Sequence, residues 1–583
     1  MTNQNLAPTQ RRQHWASIWV IFGIVFTTIF SGLSIWSWDW VTGWGSLQEH
    51  WPFTQVKDLR VMQMWQHQAR LYWKDYIAHH DLQLHFAGHV GIPALLALIP
   101  AIFCARFAYV PGGYDLIRHI AGARRYEYKQ AIKHAQRKLK EDCKVNATAP
   151  GLFLHPKLAI PRRGAEEQNL LLVGGQGAGK TVLVRPLIKQ VRERNARMFI
   201  YDEKKEFTSW FLDQHTILIA PWDVRSKPWN IAADATTSQA AMLIAECMIT
   251  LAKGDNAVFS KGARLLFCGM IIILNSTRTQ WGWEELAELL STSETDLLKL
   301  LEQHYPRTSS FIMENSRTTQ GFFIDIATEL DFIHELSKAW PTAYVNGFSI
   351  TLWAANESST TRTVIVQADK RFRHIGAPLC SAMIGLMTAT ILSQENSFSR
   401  ELFLFLDELA NLKPTPYLLE WLSLGRSKGC RCIAGTQSVS ALQTDEMYGE
   451  KGTDALLSLF GLFIALRMSG IGKSAKYCAE AFDARQVERP NSSAGPQNTP
   501  IDNWHGDSQA LVTSADLIQK LPQPGRRGVH GFLLVPGWGV YKLRWPLNPL
   551  PQVAKEHIPA VWLSAKPKVT SPENDTARRG RRR

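Results

Sequence analysis

Eight consecutive residues restrict what this 583-residue chain can become more than any other stretch. Gly174-Gly-Gln-Gly-Ala-Gly-Lys-Thr181 fits the pattern GxxxxGK, followed by Ser or Thr, at every fixed position. Asn169-Leu-Leu-Leu-Val173 before it reads as a short buried strand, and Val182 to Arg194 after it reads as a helix. Strand, glycine loop and helix in that order make a phosphate cradle. Gly174, Gly175, Gly177 and Gly179 let the backbone approach an anion. With Gln176 and Ala178 they offer a run of N–H groups to a β-phosphate. The helix N-terminus adds a favourable field. Lys180 can neutralise the β- and γ-phosphates, and Thr181 can supply a hydroxyl to Mg²⁺. ATP and Mg²⁺ are the expected cofactors.

Hydrolysis needs acids as well. Leu402-Phe-Leu-Phe-Leu406 is an unbroken apolar run, as expected of a central parallel strand, and it ends at Asp407-Glu408. Asp407 can hold Mg²⁺, and Glu408 can activate the attacking water. Gly429 to Ala434 reads as a further strand leading to Gly435-Thr-Gln437, where Gln437 can sense the γ-phosphate. Arg426, just before that strand, can reach a neighbouring subunit's nucleotide as an arginine finger, with Lys428 as the competing candidate. The expected class is an α/β, RecA-like P-loop core.

The N-terminal region asks for a different solvent. Trp15 to Trp36 is 22 residues without a charged side chain, enough to cross a bilayer as a helix, with tryptophans clustered near its ends. Phe86 to Ala105 carries no Asp, Glu, Lys or Arg and is followed by Arg106. A cleaved signal peptide is shorter and ends at small residues. Residues 106–140 carry nine basic side chains against Asp115 and Glu127, whereas the stretch from Ser37 to His85 is nearly balanced. The basic bias places both termini in the cytoplasm, the 37–85 loop outside, and the basic stretch against anionic lipid. The expected location is a membrane, crossed twice.

Composition bounds the rest. The net charge of +14 points to an anionic partner, nucleic acid or membrane. None of the eight cysteines forms a CxxC pair, and none has zinc-finger spacing, so reduced thiols are expected. Residues 235–345 repeat apolar side chains at helical spacing, as in Ala240, Ala241, Ile244, Ala245 and Met248, and read as an all-α insertion. The expected domains are an anchor over 1–112, a nucleotide-binding domain over 113–234 and 346–550, that insertion, and a basic tail over 551–583. Val529 to Val535 and Val540 to Trp545 read as a closing hairpin. Residues 487–508, rich in Pro, Ser, Asn and Gly, read as a loop. The chain ends with five arginines in its last seven residues, suited to DNA phosphates or lipid headgroups. No LSGGQ sequence is present, which argues against a solute transporter.

Together these features resemble the type IV secretion coupling proteins of the conjugative TraD type. The resemblance runs over nearly the whole chain: two N-terminal spans, the glycine loop, and the Asp407-Glu408 block with its following strand. Ile200-Tyr-Asp-Glu-Lys-Lys-Glu-Phe207 is similar to the family's acidic segment, although members more often carry glycine where Lys205 stands. The resemblance implies a ring-forming, homo-hexameric DNA pump. In it Asp407, Glu408, Arg426 and Gln437 would serve as Mg²⁺ acid, catalytic acid, arginine finger and γ-phosphate sensor. It also implies single- or double-stranded DNA, without strong sequence preference, as substrate. Relaxase or relaxosome proteins and the secretion channel would be partners. Two alternatives share these features: a receptor for protein effectors, and a chromosome translocase of the FtsK kind. The two spans and the lack of a recognisable winged-helix end count against the latter.

Overall fold

The computed structural model describes residues 15–36, 75, 78, 83–108, 118–252, 254–309, 312, 316–494 and 500–564. Its strands are β1 (Arg118–Ala121), β2 (Arg125–Glu127), β3 (Pro150–His155), β4 (Leu158–Pro161), β5 (Asn169–Val173), β6 (Arg197–Asp202), β7 (Thr216–Ile219) and β8 (Thr363–Gln367). They continue with β9 (Leu402–Leu406), β10 (Cys430–Thr436), β11 (Phe460–Leu466), β12 (Ala484–Ala494), β13 (Pro500–Ala510), β14 (Val529–Val535) and β15 (Gly539–Trp545). The chain divides into two compact units: residues 1–121 with 486–509, and residues 122–485 with 510–583.

The first unit holds helices Trp15–Trp36 and Gln83–Ala108, which pack on one another. Their exposure is inverted relative to a water-soluble protein. In the second helix Ala97, Ala101 and Ala105, four residues apart, are buried, while Leu95, Ile99, Ile102 and Phe103 lie exposed. Trp19, Val20 and Ile24 of the first helix are likewise exposed. Small residues at a helix contact with large apolar ones facing outward suit a hydrocarbon surrounding. The unit also contains β12 and β13, with β1 antiparallel to β12. Residues 487–508 were expected as a loop, and the structure corrects this. Backbone hydrogen bonds build these strands without the apolar alternation that would announce them in sequence. The 37–85 loop, apart from Asp75, Ala78 and the first residues of the second helix, and the arginine-rich end from residue 565 lie outside the described residues.

The second unit is built on a ten-stranded sheet in the order β2-β15-β14-β11-β5-β10-β9-β6-β8-β7. From β11 to β7 all neighbours are parallel, and β5, β6, β8, β9 and β10 are buried along their whole length. Continuous apolar runs such as Leu402–Leu406 are what a strand covered on both faces requires. The hairpin β14–β15 joins antiparallel to β11. Helices Ala257–Thr277 and Arg373–Leu392 are apolar enough to cross a membrane, yet most of their residues are enclosed within this unit. They are core helices; hydropathy alone does not separate them from spans.

Between β7 and β8 every regular element among the described residues is helical. This segment is closed at its neck by one carboxylate. Asp234, 2% exposed, accepts from Trp229 Nε1, Ser349 Oγ, Thr351 Oγ1 and the N–H groups of Ile350 and Thr351. Backbone bonds from Asn230 N to Phe348 O and from Phe348 N to Pro228 O flank it. Residues 551–564, assigned to the basic tail by sequence, instead pack on the sheet. Val553 N donates to Ser209 O, Gln367 Nε2 to Glu556 O, and Trp562 Nε1 to Pro221 O. Tryptophan and proline in this stretch supply apolar surface that an arginine-rich tail lacks.

Asp234→Ala strands five buried or half-buried donors. It should cost about 3–5 kcal/mol and expose residues 235–345 to limited proteolysis well below the melting temperature of the parent. Thermal unfolding and cleavage mapping check this.

Candidate nucleotide-binding site

Sheet order decides which loops meet. β10 lies between β5 and β9 and runs parallel to both, with Ile433 opposite Leu170 and Phe405. β6 flanks β9 on its far side. The carboxyl ends of β5, β10, β9 and β6 therefore open on one edge, where open α/β sheets bind ligands. They carry Gly174–Thr181, Thr436-Gln437, Asp407-Glu408 and Asp202-Glu-Lys204 respectively.

The glycine loop is held by its neighbours. Gly174 N donates to Thr436 O and Gly175 N to Arg467 O, so β10 and the end of β11 anchor its first half. Gly177 and Gly179 have φ of +68° and +94°. At Gly179 a Cβ would also stand 2.5 Å from Val529 Cγ2 at the start of β14. Only glycine meets both constraints. Gln176 and Gly177 form the exposed tip, and Ala178 is buried. Helix Lys180–Glu193 begins immediately after, with Thr181 in its first turn.

Lys180 is 7% exposed and folds back, its Nζ donating to Gly174 O at 2.9 Å. Burial lowers its pKa to about 8, against the upward pull of Glu408 and Asp407. Asp407, 8% exposed, is pushed up to about 7 by burial and by the charge of Asp202. Asp202 itself is fully buried and raised to about 6, again by burial, with Thr208 N–H and hydroxyl hydrogen bonds holding it back. Both cation and acids thus sit in a desolvated place without full compensation. Glu408 is fixed through Oε1, which accepts from Thr436 Oγ1 at 3.0 Å and Gln437 N at 3.1 Å. Its Oε2 is buried and has no hydrogen-bond partner among the described residues. An orphaned carboxylate oxygen beside a poorly compensated lysine and aspartate fits a guest that brings phosphate, metal and water.

The edge brings Lys180, Thr181, Asp407, Glu408 and Gln437 together. It does not include Arg426. That residue precedes β10 whereas Gln437 follows it, and a seven-residue strand spans roughly 23 Å. Arg426 is half exposed and pairs with Glu167 at 3.0 Å, out of reach of its own glycine loop. Lys428 is turned inward, donating to the carbonyl of Gln394.

Sequence reading missed Lys204. It is exposed and takes part in no ion pair among the described residues, and its charge acts on both Lys180 and Asp407. Its signal was its place two residues beyond a buried strand. Lys205 has φ +65°, a left-handed backbone that glycine adopts freely. The side chain offsets that cost by pairing with Asp369.

A parallel sheet with a glycine-loop cradle and acids on its carboxyl edge defines a RecA-like P-loop nucleotide-binding protein. The chain belongs, further, to the type IV secretion-system coupling protein family: the profile of that family's DNA-binding domain matches residues 153–537. Coupling protein TraD of Escherichia coli (strain K12) is 23% identical over 408 residues, covering 68% of this chain. The chain spans 55% of that relative's length. Among solved structures, the conjugative coupling protein TrwBdeltaN70 in a trigonal form with sulphate matches with TM-score 0.64 at 23% identity. It covers 76% of this chain and 98% of its own. TrwB in complex with ADP and Mg²⁺ matches with TM-score 0.62 at the same identity and coverage.

Two outcomes follow from the geometry. Gly179→Ala should abolish nucleotide binding, measured by fluorescent-nucleotide titration, because the added methyl meets Val529 in a disfavoured backbone. Asp407→Asn should raise the melting temperature of the nucleotide-free protein at pH 8. The folded pKa near 7 exceeds the ordinary 3.8, so the fold disfavours the carboxylate above that pH. The gain, on the order of 2–4 kcal/mol at pH 8, should shrink as pH falls from 7 towards 4. Melting curves at pH 8 and pH 5 check the sign.

Proposed function

We propose that this chain is a membrane-anchored coupling ATPase that moves DNA, delivered with its relaxase, into a type IV secretion channel during conjugation. The observation that carries it is the carboxyl edge itself, where Lys180, Asp407 and the orphaned Glu408 oxygen gather around the glycine loop, in a chain of the coupling-protein family. Its cofactors are ATP and Mg²⁺. The glycine-loop N–H groups and Lys180 hold the β- and γ-phosphates, and Thr181 and Asp407 hold the metal. Bound Mg²⁺ neutralises charge on the phosphates and orients them. Glu408, fixed through Oε1, uses Oε2 to take a proton from the water that attacks the γ-phosphorus. The bond to the β-phosphate oxygen breaks, leaving ADP and inorganic phosphate. Gln437 reports whether the γ-phosphate is present.

Arg426 serves a neighbouring subunit's nucleotide. This reading is supported by its distance from its own loop and by its exposed guanidinium. Such a finger requires a ring, and a homo-hexamer is the proposed assembly. The inverted burial of the two N-terminal helices supports an anchor, and the basic bias of residues 106–140 supports an orientation with both chain ends in the cytoplasm, the membrane being the inner one as the family reading implies.

Lys180→Ala should abolish ATP hydrolysis while leaving membrane insertion intact. Single-stranded DNA should stimulate the parent enzyme. Hydrolysis indifferent to DNA at every protein concentration argues against a DNA motor. Arg426→Ala mixed with parent subunits should lower activity more steeply than the mutant fraction. A loss in simple proportion removes the in-trans role. Phosphate release assays read all three.

A further inference from the structure

Helix Tyr128–Val145 is divided lengthwise. Ala131 and Ala135 are buried, and the helix rests on β4 and β15. The outward side carries Lys129, Lys133, Arg137, Lys140 and Lys144, all exposed. At about 100° per residue these five fall within an arc of about 80°, in a row roughly 22 Å long. Arg137 pairs with Glu141 on the flank, which also takes Lys138. The four lysines of the row take part in no ion pair among the described residues. The other acid of the helix, Asp142, is turned inward and accepts from Trp538 Nε1. A solvated helix face ordinarily mixes both signs. Five cations on one narrow face, with the acids at its side, form a charged runner.

We infer that this face is an interaction surface for the anionic headgroups of the membrane that the chain crosses. The inference rests on the proposed anchor and deepens it. Charge complementarity argues for an anionic surface. The position in the chain selects the lipid: the helix begins at Tyr128, after the apolar helix ends at Ala108 with Arg106 in its last turn, and Arg118 and Arg124 fall on the way. Polybasic segments next to a span are drawn to anionic headgroups within a Debye length. A straight, rigid row also brings all its charges to a flat surface together. Alternating helix faces would lift half of them away.

The test uses the full chain in nanodiscs of phosphatidylcholine alone, or of phosphatidylcholine with phosphatidylglycerol. Brief acylation by an N-hydroxysuccinimide ester, read by mass spectrometry, reports the reactivity of each lysine. Lys129, Lys133, Lys140 and Lys144 should react roughly fivefold more slowly in the anionic discs, and 1 M salt should erase the difference. Lys299 and Lys476, exposed on other helices, should react alike in both. Equal rates for the row in the two lipids overturn the inference. Protection that appears only on adding DNA, in either lipid, assigns the row to nucleic acid and overturns it too. Retention of the chain in both kinds of disc reports separately on the anchor: a chain that leaves them removes the reading on which the inference rests.

Discussion

The parallel pairing of β10 with β5 on one side and β9 on the other is the constraint on which the site depends. A glycine loop can cradle phosphate by itself, but hydrolysis needs acids near it, and here the two lie more than two hundred residues apart in sequence. The register closes that gap. Thr436 lies opposite Val173 across one ladder and accepts from Gly174 N, and Ala434 lies opposite Leu406 across the other. A slip of one residue would turn the strand faces over and move Thr436 away from Glu408.

That edge is electrostatically costly while it holds no guest. Asp202 and Asp407 are both raised by burial, and Lys180 is lowered by it, so opposite charges in one place fail to restore what each lost on leaving water. Stability spent there has a use: an anionic guest and its cation supply the compensation that the protein lacks, and binding strength follows from the deficit. The orphaned Glu408 oxygen belongs to the same logic, because a buried oxygen without a donor leaves a hydrogen bond for the guest to supply.

Two other devices hold the surroundings. Asp234 joins the entry and exit of the helical insertion at one buried point, and helix Ser238–Met248 packs on the core helix Arg373–Leu392, so a segment of more than a hundred residues is held to the rest of the unit. Residues 551–564 cover the β6–β8 region, where Gln367 bridges Thr208 and Glu556. Thr208 is also the partner of Asp202. The chain's return across the sheet is thereby linked, through three side chains, to the acid cluster of the site.

Much of this was legible in the sequence. The strand before the glycine loop and the helix after it, the apolar run before Asp407 and the hairpin around Pro536 announce themselves through local periodicity and turn residues. The class of ligand follows from the loop's glycines and Lys180, because phosphate geometry leaves few other solutions. The sequence did not disclose β12 and β13, whose polar residues show no apolar alternation, or the packing of residues 551–564, which depends on a distant sheet. Nor did it show that Arg426 rests on Glu167 at the far end of β10 from Gln437, or that Lys204 acts on Lys180 and Asp407. Local chemistry is written in neighbouring residues and can be read there. Which charges share one desolvated edge is set by strand order and register, and those exist only once the sheet has formed.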